Sequence, residues 1–452
     1  MSSRHRRLPI VLRHLQRLSL VVGTLGFLLM AAVTPAPSQQ KAPGTSSSWF
    51  HARMPSVPPT PLPQLVREAE QNNPRILAAR RAWQAAEQVP SQVSTLPDPR
   101  FTVQQFSVGS PRPFAGFSSS SFAYIGFGVS QNLPFPGKLR LRGEAARRQA
   151  AAYAEQMRAI RRAVVEKLEE DYYKLAYYAK TLGILRRDGK LLDQIEKIAE
   201  ARYRVGEGNQ ADVLKAQLER TQLLRMIVHH HKRMGQLEAE IKQLLNRPPE
   251  SPDIAPEPLK ETALPFTTGQ LLARIRAGNP TIALEQDLVR RQSLNVELAR
   301  KDFYPDFNLQ YMWQHTGAPF PDYYMVTFGV KLPIHRTRRQ QAELAEAAED
   351  LRRSQRDYEA ATQQAYSEVE QRYLAADAAA KTITIYRQGL IPQAQASFEA
   401  GLAAYQTGQE DFQSLLSSFL EVLNLNLEYW QTLAHHETAI AKIEQLTGIK
   451  LP

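Results

Sequence analysis

The chain of 452 residues has no cysteine. That excludes disulfides, thiolate chemistry and a lipid-modified cysteine, and it fits an oxidising compartment. The excess of one charge sign is modest. The formal net charge is +11, and residues 1–35 hold Arg4, Arg6, Arg7, Arg13 and Arg17 with no acid, so +11 less those five leaves +6 for the rest. Bases and acids are interleaved there, with no basic patch threaded by aromatics, so no nucleic-acid partner is expected. Long apolar runs are missing as well. The one candidate, Leu18 to Val33, follows a basic stretch and ends near Ala31 and Ala32. At about 16 residues it is short for a span and reads as a secretory signal over residues 1–34, a single anchor being the other reading. No other stretch is apolar enough, so a membrane-resident mature chain must cross by strands.

Enzyme signatures are absent too. There is no Gly-x-Ser-x-Gly and no Gly-x-x-x-x-Gly-Lys, and the acids sit among bases on helical stretches, the pattern of solvated faces. No catalytic or cofactor-binding residue is expected. His229-His230-His231 resembles a metal tract. Consecutive helical residues point about 100° apart, whereas helical ligand pairs stand at i,i+3 or i,i+4, so the three do not converge on one ion. His435-His436 fails the same test, and no metal site is expected.

What is present is a period-two pattern. Phe307, Leu309, Tyr311 and Trp313 alternate with Asn308, Gln310, Met312 and Gln314. After a short link, Tyr324, Val326, Phe328, Val330 and Leu332 alternate with Tyr323, Met325, Thr327, Gly329 and Lys331. Such alternation means strands with one apolar and one mostly polar face. Each is about nine or ten residues long, the length of a tilted barrel strand, with aromatics near the ends. A hairpin on a soluble core is the competing reading. If the strands lie in a membrane, Leu309, Tyr311, Trp313, Val326 and Phe328 face lipid.

Residues 35–61 are rich in Pro, Ser and Thr and read as a linker or extended tail. A helical pattern runs from about Leu62 to Val89, with a break expected at Asn73-Pro74. A weak strand, Phe101 to Val108, and a better one, Phe122 to Gln131, flank a loop rich in Ser, Pro and Gly. From Lys138 to about Val205, Met157, Ile160, Val164, Leu168, Tyr172, Leu175, Ala179 and Leu182 step by three and four, a seam typical of coiled-coil packing. Such a helix spans roughly 100 Å. Gly206 stops it, and a second helix returns from about Ala211 to Leu245.

The pattern then repeats. Asn73-Pro74 recurs as Asn279-Pro280, Pro97-Asp98 as Pro305-Asp306, and Tyr203-Arg204-Val205-Gly206 as Tyr405-Gln406-Thr407-Gly408. Gly128-Val129 before Leu133-Pro134 recurs as Gly329-Val330 before Leu332-Pro333. Leu344, Leu351, Tyr358 and Ala365 step by seven, and Pro392 is expected to kink this second long helix. The repeats are placed at 62–248 and 264–448, with a Pro-rich linker at 249–263. Each half reads as helix, strand, strand, long helix, turn, return helix.

Two strands per half cannot close a barrel, and open edges cannot lie in lipid. Closure needs several chains. The duplicated layout, the run Ser130-Gln131-Asn132-Leu133-Pro134-Phe135-Pro136-Gly137-Lys138, the paired Tyr-x-x-Gly turns and Leu390-Ile391-Pro392-Gln393-Ala394 resemble TolC-like outer-membrane efflux channels. The resemblance covers residues from about 62 to 448. It implies a mostly α fold with a membrane β-barrel: a homotrimer joining a twelve-stranded barrel to a periplasmic α-helical barrel. It also implies outer-membrane lipid around the strands, a periplasmic adaptor (membrane fusion protein) and an inner-membrane pump as partners, and passive export of small molecules or metal ions. The Gln-x-Leu-Pro-Phe-Pro-Gly-Lys run is similar to the heavy-metal export subgroup. A periplasmic coiled-coil adaptor or scaffold that never enters lipid is the alternative, and it leaves the strands unexplained.

In such channels the Tyr-x-x-Gly turns form the far tips, where adaptor docking and the gate lie. The residues concerned are Gly206, Asp212, Gly408, Glu410, Asp411 and Ser414. Relatives place aspartates six and nine residues after the second glycine. Here Ser414 and Ser417 stand there, so any negative ring shifts towards Glu410 and Asp411.

Overall fold

A computed structural model describes residues 58–451. The expected signal, 1–34, and all but the last residues of the Pro/Ser-rich segment lie outside the described residues. The described part is mostly helical with one small sheet. The first half contains α1 (Leu62–Asn72), α2 (Pro74–Ala86), α3 (Val89–Ser94), β1 (Arg100–Phe106), β2 (Tyr124–Leu133), α4 (Lys138–Arg204) and α5 (Gln210–Leu244). The second contains α6 (Thr268–Gly278), α7 (Pro280–Lys301), β3 (Asp306–His315), β4 (Tyr323–Lys331), α8 (Gln341–Ile385), α9 (Ile391–Gln406) and α10 (Phe412–Thr447). The element order of one half thus recurs in the other. Strand β1 ends two residues before the expected Val108, and β2 is shifted by two towards its C-terminus, because the loop side of each is held by turns in place of the ladder.

Each Asn-Pro pair does more than break a helix. Asn73 Oδ1 accepts the N–H groups of Arg75 and Ile76 at 2.9 and 3.3 Å, capping α2, with Pro74 at its first position. Its Nδ2 donates to Leu244 O, at the end of α5, at 2.8 Å. Asn279 repeats this on Thr281 and Ile282, and donates to Leu446 O in α10 at 3.1 Å. One buried amide therefore satisfies a helix start and a helix end. The cap alone is worth about 0.5–2 kcal/mol.

Helix α4 has 67 residues, and α5 returns along it. Of the predicted seam, Val164, Leu168, Tyr172, Leu175 and Leu182 are buried. Leu168, Leu175 and Leu182 are fully enclosed, each contributing about 1.5–3 kcal/mol of transfer free energy. One cluster joins α1, α2, α4 and α5 through Leu65, Ile76, Leu168 and Ile241. A second joins α6, α7, α8 and α10 through Leu271, Ile282, Val369 and Ile443. A third, nearer the turns, ties α4, α5, α9 and α10 through Leu192, Leu223, Phe398 and Phe419. Helix α4 also packs on α10, so near the turns the lateral order is α5, α4, α10, then α8 and α9.

At Pro392, where a kink is expected, the helix changes type. A π-helical turn, Tyr386–Leu390, precedes it, and Ile391 N–H donates five residues back to Tyr386 O. Widening the helix there accommodates a residue with no N–H and a ring that crowds the preceding turn. A second π turn, Arg336–Gln340, starts α8.

Candidate functional site: two strand faces and two helix tips

The four strands form a single antiparallel sheet in the order β1-β2-β3-β4, so β1 and β4 each leave an open edge. The register sorts the faces. Phe101 opposes Val129, Val129 opposes Tyr311, and Tyr311 opposes Val326; Phe127 opposes Trp313, and Leu309 opposes Phe328. These residues share one face, which is apolar from edge to edge. Val326 and Phe328 are 68% and 63% exposed, and Leu309 and Tyr311 are exposed as well. The other face carries Thr102, Gln104, Ser130, Asn132, Gln310 and Thr327. All five lipid-face candidates from the sequence lie on the apolar side.

The polar face hides one feature that the pattern did not reveal. Met312 is buried over two glycines. A Cβ at Gly126 would lie 3.2 Å from its Sδ, and one at Gly128 3.3 Å from its Cε. The glycines make room for a thioether lying flat against the sheet. A pair of glycines in a strand is a signal of close approach.

The Ser130–Lys138 run builds the passage from sheet to helix. Gly137 adopts φ +92° ahead of α4. Lys138 is buried, and its ammonium bridges Asp302 and Asp306 at 3.0 and 2.9 Å. Asp306 also accepts Phe135 N–H at 2.9 Å. The run is thereby used in architecture.

At the turns, α4 and α9 end alike. Gly206 and Gly408 take φ of +81° and +78°, the left-handed conformation that favours glycine. Glu207 N–H donates to Arg202 O, and Gln409 N–H to Ala404 O, each at 2.9 Å. This is the Schellman pattern, in which the residue past the glycine satisfies a carbonyl of the last turn.

Two of the acids named from the sequence, Asp212 and Asp411, are drawn into capping. Asn209 caps α5, accepting Ala211 N–H at 3.2 Å, and its own N–H donates to Asp212 Oδ2 at 3.4 Å. Asp411 caps α10, accepting Ser414 N–H at 3.0 Å and the Ser414 hydroxyl at 2.9 Å. Those bonds hold the Asp411 carboxyl below the usual carboxylate range. Glu410 lies against Gly401, where a Cβ would come within 2.9 Å of its Oε2.

Arg202 was not singled out by pattern. Its guanidinium lies over the Tyr405 ring and its Nη1 donates to Tyr405 O, tying the end of α4 to the end of α9. Lys215 adds a bond to Gln413 Oε1 at 2.8 Å. The only sequence hint was asymmetry, since Ala404 occupies the place matching Arg202 in the other half.

The histidines diverge. His230 is buried, its Nδ1 2.9 Å from Met226 O, with the Tyr178 ring edge-on at 5.1 Å. His231 Nε2 meets Arg186 at 2.9 Å. His436 contacts Ala376 O and Thr262 O at 3.0 and 2.9 Å. Among the described residues, no group of three or more His, Asp or Glu is placed to hold a metal ion. Among them, too, no helix is long and apolar enough to cross a membrane.

No curated protein matches the chain in sequence. Among solved structures, the fold is similar to the outer-membrane channel OprN, with TM-score 0.74 and 18% identity over 86% of this chain and 89% of that one. It is similar to the CmeC outer membrane channel of Campylobacter jejuni, with TM-score 0.74 and 15% identity over 86% and 85% of the two chains. It is also similar to the outer membrane protein VceC of Vibrio cholerae, with TM-score 0.72 and 18% identity over 86% and 96%. The sequence model of the family described as outer membrane efflux protein matches residues 65–247 and 271–448, most of both halves. The chain belongs to the outer membrane efflux protein family.

Proposed function

We propose that this outer-membrane efflux channel works as a homotrimer whose three sheets join edge to edge in one barrel. As a member of its family it resides in the outer membrane with a periplasmic extension, as the channel of a tripartite pump. The observation that carries the trimer reading is the sheet itself: apolar on one face, polar on the other, and open at β1 and β4. Four strands cannot enclose a lumen, and small bacterial barrels begin at eight. Three copies supply twelve by pairing β4 of one with β1 of the next, which leaves no edge in lipid. The helical layer supports the same arithmetic. Leu214, Leu218 and Val228 are exposed on α5, and Leu374, Ile385 and Leu390 are exposed at the opposite lateral edge. Joining copies side by side brings Val228 level with Ile385 and Leu390, each roughly 27–35 Å from its turn.

In this reading the duplication runs over 62–248 and 264–448, joined by 249–263. The tips with Gly206, Asp212, Gly408, Glu410, Asp411 and Ser414 dock a periplasmic adaptor and close the tunnel, and an inner-membrane pump loads it. Metal cargo is supported only by the resemblance of the Ser130–Lys138 run, whose residues are spent on the strand–helix junction. The scaffold alternative leaves a sheet-wide apolar face without a use.

Light scattering in mild detergent, with detergent mass subtracted, tests the assembly. A mass of three chains is expected, and the mass of a single chain would overturn the trimer.

A further inference from the structure

We propose that the outer surface of α4 and α7, just past the sheet, binds the anionic headgroups of phospholipids in the periplasmic leaflet. The proposal rests on the outer-membrane placement of the sheet, and goes beyond it.

The lumenal side is fixed first. Asp306 and Lys331 oppose each other on the polar sheet face. A junction cleft of about 450 Å³ is lined by both, together with Lys138, Arg142 and Arg339. Arg142 therefore stands on the lumenal side of α4. At 3.6 residues per turn, Arg140 and Arg147 lie roughly 160° and 140° around the helix from it, so they face outward. There a second cleft, of about 600 Å³, is lined by Glu144, Arg147, Arg148, Arg290, Ser293 and Leu294.

Depth and position suit lipid. Four residues separate the end of β2 from the start of helix α4, and residues 140–148 fall within roughly 15 Å of the helix start. Arginine side chains can reach up to a headgroup layer from there. At the border, Phe135 stacks on Tyr304 at 4.6 Å, and Lys301 stands 5.4 and 5.6 Å from the two ring centres. Tyr304 also lines the lumenal cleft, so this stack belongs to the strand–helix junction. Strands β2 and β3 are the inner pair of the sheet, and α4 and α7 adjoin them. The patch thus lies mid-protomer, away from the edges where copies meet.

Charge supplies the complementarity. Glu144 is shared by Arg140 at 2.7 Å and Arg147 at 3.9 Å. Asp287 is shared by Arg148 at 3.3 Å and Arg290 at 3.4 Å. Each carboxylate serves two arginines, so two positive charges per chain stay unbalanced in the cluster. All four arginine side chains are exposed, between 46% and 64%. The first turn of α4 has no acid, and Arg140 stands there against the helix dipole, whereas Lys138 is already paired with Asp302 and Asp306. An anionic surface relieves that opposition.

The test uses the full assembled channel in nanodiscs of equal parts phosphatidylcholine and phosphatidylglycerol, with annular lipid counted by native mass spectrometry. Wild type is expected to enrich phosphatidylglycerol. The Arg147→Gln, Arg148→Gln, Arg290→Gln variant is expected to lose that enrichment by about fivefold or more, and lysine at the same positions is expected to keep it. Enrichment by wild type is also expected to fall at high salt. Equal lipid ratios in wild type and the glutamine variant, or a wild-type ratio that ignores salt, would overturn the headgroup surface. Failure of wild type to enter the nanodisc at all would instead overturn the bilayer placement on which it rests.

Discussion

The guanidinium of Arg202 lies 4.8 Å from the centre of the Tyr405 ring, 203 residues along the chain. It also donates to the carbonyl of the same tyrosine, which packs against Phe412 at 5.8 Å. One side chain thus fastens the α4 tip to the α9–α10 tip within a protomer.

Loosening that contact is expected to free the tips. A cation–π contact is worth about 0.5–1 kcal/mol when exposed and about 2 or more when desolvated. Arg202→Gln is expected to raise open probability several-fold in planar bilayer recordings, at unchanged trimer yield. Conductance traces indistinguishable from wild type would remove Arg202 from the gate.

Substitution separates the capping role of Asp411 from the pore charge proposed for the tip acids. Asn caps helices about as well as Asp, so Asp411→Asn keeps the α10 cap and removes the charge. Combined with Glu410→Gln, it is expected to lower cation preference in reversal-potential measurements, since rings of carboxylates draw cations to a pore. Ser414→Asp is expected to raise that preference and promote block by multivalent cations. Selectivity unchanged in both variants would mean that these side chains face the adaptor or solvent.

The two sheet faces are expected to respond oppositely to charge. Val326→Arg puts a guanidinium on the apolar face and is expected to cost roughly 2–4 kcal/mol near the bilayer midplane, less near an interface. Thr327→Arg points to the polar face and is expected to change conductance while the channel still inserts. Heat-modifiable migration and membrane fractionation measure both, and equal tolerance would refute the assigned faces.

Acid is expected to weaken the long hairpin through His230. Burial pushes this imidazole below the ordinary histidine range, with His229 and His231 acting the same way and the Met226 carbonyl opposing. Its Nε2 is buried without a partner, so a second proton would have no acceptor. The folded value lies below the unfolded one, so the stabilisation is complete above the unfolded value of about 6.5 and is lost as pH falls through the folded value. Wild type is expected to lose melting temperature on acidification below about pH 6.5 more steeply than His230→Gln. Parallel melting profiles would rule His230 out as the sensor.

Period-two alternation alone assigned Leu309, Tyr311, Trp313, Val326 and Phe328 to one face, because side-chain parity in a strand is fixed by the backbone. Gly206 and Gly408 were legible as helix stops for a similar local reason, since a left-handed residue there favours glycine. Asn73-Pro74 and Asn279-Pro280 showed as breaks, and the duplication followed from their order. The second bond of each asparagine, to Leu244 O and Leu446 O, did not show, since it depends on where a return helix ends in space. Nor did the π turn before Pro392, which reflects how the helix absorbs a missing N–H. Asp411 read as a pore acid, its use as a helix cap did not show, and Arg202 carried no periodic signal. Local conformation is written in neighbouring residues, and these the sequence determined. Which side chains meet across 171 or 203 residues depends on the lengths, axial stagger and rotation of packed helices, and only the tertiary structure decides that.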